Sequence, residues 1–220
     1  MEERKNSYLF EGIENIRLHL SVLDVRIIIG DEFKVETTER YGDIIYVSQE
    51  GNQLVIRTDI KKRFGFIVNR PRTSELVITL EKNKVYQSFE CDIKVGELMI
   101  DTLHCQKFIL HSDVMDGMVK NLMATEVEIE NAVGDIQLYA EVESSLKVRN
   151  ATGEVDITLY GEEEDYAVYY ENSIGDLRVG EQINSSTLSG RGSNRIHAPK
   201  RIDLKNSVGE LSLRFRRSTC

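Results

Sequence analysis

VEIENAVGDIQL, residues 127–138, sets two runs of alternating apolar residues on either side of an Asn and a Gly-acid pair. The same phrase returns as LKVRNATGEVDI from Leu146, VYYENSIGDLRV from Val168 and IDLKNSVGELSL from Ile202. Aligned on Asn131, Asn150, Asn172 and Asn206, the residues four and two before each Asn are all apolar, and so are those two and four after Gly134, Gly153, Gly175 and Gly209. Sixteen such positions filled by chance in a chain that is 40% hydrophobic has a probability on the order of one in a million. The interleaved residues, such as Glu128, Lys147, Asp203, Gln137, Asp156 and Arg178, are polar, with Tyr169 the exception. Period two means strands with one buried face.

Asn-x-x-Gly-acid between the strands is turn chemistry, because Asn satisfies its own turn and Gly supplies positive φ without a steric penalty. A strand-bend-strand unit cannot bury its apolar face alone, so copies must stack. The glycines are separated by 19, 22 and 34 residues, the last about twice 17. That spacing predicts coils of roughly 17 to 22 residues with an extra irregular coil around residues 187–196. Toward the amino terminus, Gly96 keeps the register through Phe89, Cys91, Leu98 and Ile100, whereas Gly117 fits only in part. Regular coils are expected over about residues 85–215. In a regular stack, equivalent Asn side chains would lie about 4.8 Å apart and form an amide ladder; the alternative is that each Asn serves only its own turn.

Ahead of the repeats, residues 16–20 and 25–29 read as short strands, residues 44–47 and 54–57 flank a hairpin turn, and residues 76–80 follow. At 220 residues, with two prolines and no compositional break, the chain is expected to form a single all-β domain, residues 1–220, that buries roughly 70% of its unfolded surface.

The net charge of −9 and pI of about 5.1 disfavour nucleic acid and anionic membrane as broad partners. No apolar run approaches the roughly 18 residues of a membrane span, and MEERKNSYLF lacks a signal-peptide core, so membrane insertion is not expected and a cytoplasmic location is. Cys91, Cys105 and Cys220 have no metal spacing; Cys91 falls at an inward position and reads as core. His19, His104, His111 and His197 show no HxH or HExxH grouping, and no glycine set forms a phosphate loop. No cofactor, metal site or catalytic residue is expected. The acid after each glycine (Glu97, Asp135, Glu154, Asp176, Glu210) forms a row that could suggest a cation site or a glycosidase pair. Adjacent coils give the required 5 Å spacing to any such row, so solvated turn positions are the favoured reading. Residues 162–165 read as an exposed loop.

KKRFGFIVNRPR, residues 61–72, gathers five basic residues around two phenylalanines in an acidic chain. One reading is a protruding hairpin whose Arg63, Phe64, Phe66, Arg70 and Arg72 contact a partner such as an acidic face of another copy. The favoured one is a strand with inward aromatics and wet basic ends.

The order IENIRLHLSVLDVRIIIGDEFKV, GNQLVIRT, SELVITLEKN and NSVGELSL, spanning residues 13–215, resembles the bacterial putative-adhesin family of β-strand repeats, a domain of unknown function. The resemblance implies a right-handed β-helix-like solenoid with a cell-surface adhesive or scaffold role, and no catalytic residues. The function expected is therefore a non-catalytic β-repeat scaffold binding an unidentified protein or glycan, with self-association through an open solenoid end. The alternatives are a carbohydrate-active β-helix enzyme and an intracellular regulatory module that binds a protein.

Overall fold

The computed structural model describes residues 3–40, 42–59, 73–180, 190–194 and 196–217. The alternation seen in the sequence becomes strand throughout, with a single 3₁₀ turn, Glu163–Asp165, among the described residues. Tyr86–Ile100, Leu103–Val133 and Ile136–Thr152 are long ribbons that bend at their corners and lie parallel on one another. The step is nineteen residues: Tyr86 lies beside Cys105, Phe89 beside Phe108 and Ile100 beside Val119. Leu146 lies beside Val127 and Asn150 beside Asn131 at the same step. Inward side chains of successive levels therefore touch, as in the parallel rings of Phe89 and Phe108 at 5.5 Å. One buried core runs from Ile13 to Leu213.

The levels do not follow chain order. Lys200–Val208 pairs with Ile136–Thr152 on one side and with Tyr166–Ile174 on the other. Leu211–Arg216 likewise lies between Val155–Tyr160 and Leu177–Val179. The last coil of the chain is thus inserted beneath the one that precedes it. The amino-terminal end does the same: Asn15–Val22 is held between Gln53–Asp59 and Tyr86–Ile100, and Asp24–Gly30 between Glu75–Glu81 and Tyr86–Ile100. Parallel stacking consequently reaches back to Asn15, well before residue 85.

Both ends finish in antiparallel strands. Ile44–Glu50 forms the expected hairpin with Gln53–Asp59, and Lys34–Glu39 pairs with Glu75–Glu81 and carries Arg4–Leu9 outside it. At the other end, Gly190–Asn194 runs antiparallel to Tyr166–Ile174. The described part of the expected irregular coil at 187–196 is therefore a capping strand; residues 181–189 and 195 lie outside the described residues.

The corner explains the Asn-Gly phrase. Gly153 has φ +131°, and a Cβ there would sit 2.2 Å from the carbonyl oxygen of Gly134. Asn131, Asn150 and Asn206 form the amide ladder: Asn131 Nδ2 donates to Asn150 Oδ1 at 3.1 Å, and Asn150 Nδ2 to Asn206 Oδ1 at 3.3 Å. Ser112 takes the Asn position one level earlier, its hydroxyl donating to Asn131 Oδ1 at 2.6 Å. Asn172 leaves the ladder, donating to the Asp176 carbonyl of its own corner at 2.9 Å and to the Gly209 carbonyl of the adjacent level at 3.1 Å. In the Ser112 level the corner residue is Met115, which pairs with Gly96. Gly117 instead holds the inward position of Leu98 and Ile136, and this is why it fits the glycine register only in part.

Candidate functional site

Each strand of the stack sends every second side chain outward, so in-register pairing turns single residues into columns. One column on the longer face runs Arg57, His19, Asp92, His111, Glu130, Arg149, Lys205, Glu171, Arg191, one residue per level. An open cleft of about 1050 Å³ lies over it, bounded by the neighbouring outward column that includes Ser21, Lys94, Asp113 and Ala132.

Oppositely charged neighbours in the column pair across levels. Asp92 takes His19 Nδ1 on one carboxylate oxygen at 2.9 Å and His111 Nδ1 on the other at 3.1 Å. A carboxylate oxygen accepts, so both imidazoles present Nδ1–H to it. All three side chains are about half exposed. Glu130 accepts from Lys147 Nζ at 2.9 Å and lies 3.8 Å from Arg149. The Lys147 hydrogen bond, with the nearby charges of Lys147, His111 and Arg149, holds Glu130 below the usual carboxylate range against an opposing effect of burial. Lys147 also bonds Glu128, and the two carboxylates raise its own pKa. A second hollow of about 730 Å³ continues the face past Arg149 and Lys205, where the Arg201 guanidinium lies 4.3 Å over the Tyr169 ring.

The acid row lies around the corner from this face and is longer than the sequence suggests. It runs Glu75, Asp24, Glu97, Asp116, Asp135, Glu154, Glu210, Asp176. Part of its work is structural: Asp24 accepts from the Glu97 amide at 3.2 Å, Asp116 from Asp135 at 3.0 Å and Asp135 from Glu154 at 2.8 Å. Among the described residues, no three His, Cys, Asp or Glu side chains converge as metal ligands, and no helix is long and apolar enough to cross a membrane.

Arg63, Phe64, Phe66, Arg70 and Arg72 lie outside the described residues, as does Cys220. Cys91 and Cys105 are buried thiols; burial pushes Cys105 up to about 12 and Cys91 higher still. Sequence motifs missed the His19–Asp92–His111 group because its members are 73 and 19 residues apart. A signal was present nonetheless: Asp92, His111, Glu130 and Arg149 recur at a strict step of nineteen.

A parallel stack of short coils with in-register outward columns defines a β-solenoid-like repeat protein. The chain belongs to the Toastrack DUF4097 family, whose model matches residues 13–158 and again 96–214. The two overlapping matches reflect the internal repetition. Solved structures similar to it include a putative cell adhesion protein from Clostridium sporogenes, 14% identical, TM-score 0.48, covering 98% of this chain and 100% of that one. A putative adhesin from Bacteroides fragilis is 12% identical, TM-score 0.39, over 98% and 97% of the two chains. A putative lipid binding protein from Parabacteroides distasonis is 14% identical, TM-score 0.28, over 98% and 97%. No curated protein matches.

Proposed function

We propose that the chain is a non-catalytic binding scaffold whose recognition surface is the charged column over the cleft. The observation that carries this reading is the register itself: Arg57 to Arg191 present charged and imidazole side chains of both signs on one backbone lattice at about 4.8 Å per level. Such a lattice loses little side-chain or loop entropy on binding, which favours repeating polar ligands such as glycans or extended peptides. Binding to glycan and peptide arrays tests it. The chain should bind a ligand class that Asp92→Asn and Arg149→Ala each weaken at least tenfold; equal binding by both variants overturns the assignment of this face.

Several finer points belong to the same reading. The one continuous core supports a single domain, and the strong right-handed bias of parallel crossovers supports a right-handed winding. The adhesin-like form places the face at the cell surface, the regulatory form inside the cell, and fractionation with an antibody to the chain separates them. Association of copies would use the outermost strands, of which Leu177–Val179 is the shortest. A second reading, hydrolysis of a polysaccharide, rests on the two imidazoles held by Asp92. It requires turnover of a glycan bound on this face and loss of that turnover in His19→Ala and His111→Ala.

A further inference from the structure

A row of exposed aliphatic side chains borders the corner on the side opposite the acids. Val95, Val114, Val133, Thr152, Val208 and Ile174 occupy equivalent places in successive levels, with Val114 and Val133 related by the same step as the bonded Ser112 and Asn131. Five of the six are large apolar residues between 42% and 57% exposed. A scattered exposed valine needs no explanation, whereas an aligned row does. The row's alignment follows from the fold, but its apolar character does not: the outward column three residues earlier, with Asp92, His111, Glu130 and Arg149, is charged. Six levels at about 4.8 Å each give a strip of roughly 24 Å between end residues.

We propose that this strip, with the adjoining acid row, is a docking edge for a cationic amphipathic α-helix of another protein. Charge chooses the occupant. The strip and the acid row stand two residues apart across the corner, as Val133 and Asp135 do. Glu97, Asp116, Asp135, Glu154 and Asp176 form no ion pair with any described residue. A second copy would set one acid row against another, and an anionic membrane would be repelled by it. Spacing chooses the conformation. A helix advances 5.4 Å per turn, close to one level, while same-side residues of an extended strand are nearly 7 Å apart. About 16 to 20 helical residues span the strip, seating one aliphatic side chain per turn and placing Lys or Arg on the flank that faces the carboxylates. The chain's charge of −9 would speed the approach of such a segment.

The test titrates the full chain into a labelled twenty-residue peptide carrying Leu at helical i, i+3, i+4 spacing and Lys beside it. A scrambled peptide of the same composition is the control, and anisotropy is the readout. The designed peptide should bind at least tenfold more tightly than the scrambled one, with affinity falling as salt rises. Glu97→Gln/Glu154→Gln/Glu210→Gln, which leaves the aspartate-to-amide bonds intact, should weaken it at least tenfold. Val114→Thr/Val133→Thr/Val208→Thr should do the same, and Thr152 already shows that the column accepts threonine. Equal affinity for the two peptides overturns the proposal, as does indifference to the glutamate variant. Binding of zwitterionic lipid vesicles without binding of the peptide would make the strip a lipid contact and equally overturn it. Asp92→Asn leaves this edge untouched, so failure here is separable from failure on the charged face.

Discussion

At the scale of single residues, the corner separates two demands on glycine that are usually confounded. Gly51 has φ +63° with nothing within 4 Å of a built Cβ, whereas Gly153 has φ +131° and meets the Gly134 carbonyl. Gly51→Ala carries only the left-handed penalty, about 1 to 2 kcal/mol. Gly153→Ala must also push two levels apart, and its urea midpoint should fall by well over twice as much. Asn150 offers the complementary case. Asn150→Ala strips a buried acceptor from Asn131 Nδ2 and a donor from Asn206 Oδ1, at a cost of about 2 to 4 kcal/mol by chemical denaturation. The buried thiols give a third expectation. With Cys105 pushed up to about 12, and Cys91 pushed up more strongly by complete burial, alkylation at pH 8 mapped by mass spectrometry should find both unmodified until urea unfolds the chain.

At the scale of elements, the strands and corners were legible in the sequence because each rests on local chemistry: period two for the buried face, Asn and Gly for the bend. Level order was not. Asn131, Asn150, Asn172 and Asn206 follow one another in the chain, but the stack runs Asn131, Asn150, Asn206, Asn172. Coils with interchangeable inward residues carry no local mark of which neighbour they prefer, so the 34-residue gap read as an extra coil when it measures an excursion out and back. The His19–Asp92–His111 group shared this fate, since it exists only once Asn15–Val22 is placed against Tyr86–Ile100. Insertion has a consequence that a simple end-to-end stack would not have. Deleting residues 199–220 removes an interior level and leaves Asn150 and Tyr166–Ile174 facing a gap. Hydrogen exchange should then show lost protection in Val155–Tyr160 and Tyr166–Ile174, while Tyr86–Ile100 keeps its own.

At the scale of the whole molecule, ion pairs between levels tie the stack along its axis, and their pH response has a definite sign. Lys147 bridges Glu128 and Glu130 from the next level, and Asp101 is paired with Lys120 and Arg26. The Lys147 and Lys120 hydrogen bonds are the largest causes that lower Glu130 and Asp101. A carboxyl with a depressed folded-state pKa binds fewer protons folded than unfolded. Its stabilisation is therefore complete above the ordinary values of 4.5 for Glu and 3.8 for Asp, and is lost as pH falls through the lower folded values. These side chains are 30% to 40% exposed, so solvent screening keeps each contribution small. The urea midpoint should be level from pH 7 to about 5 and then decline toward pH 3. Lys147→Met removes the partner that depresses Glu130, so its decline should be shallower than that of the natural chain. A parallel decline in the two proteins would show that Lys147 contributes nothing to the acid response.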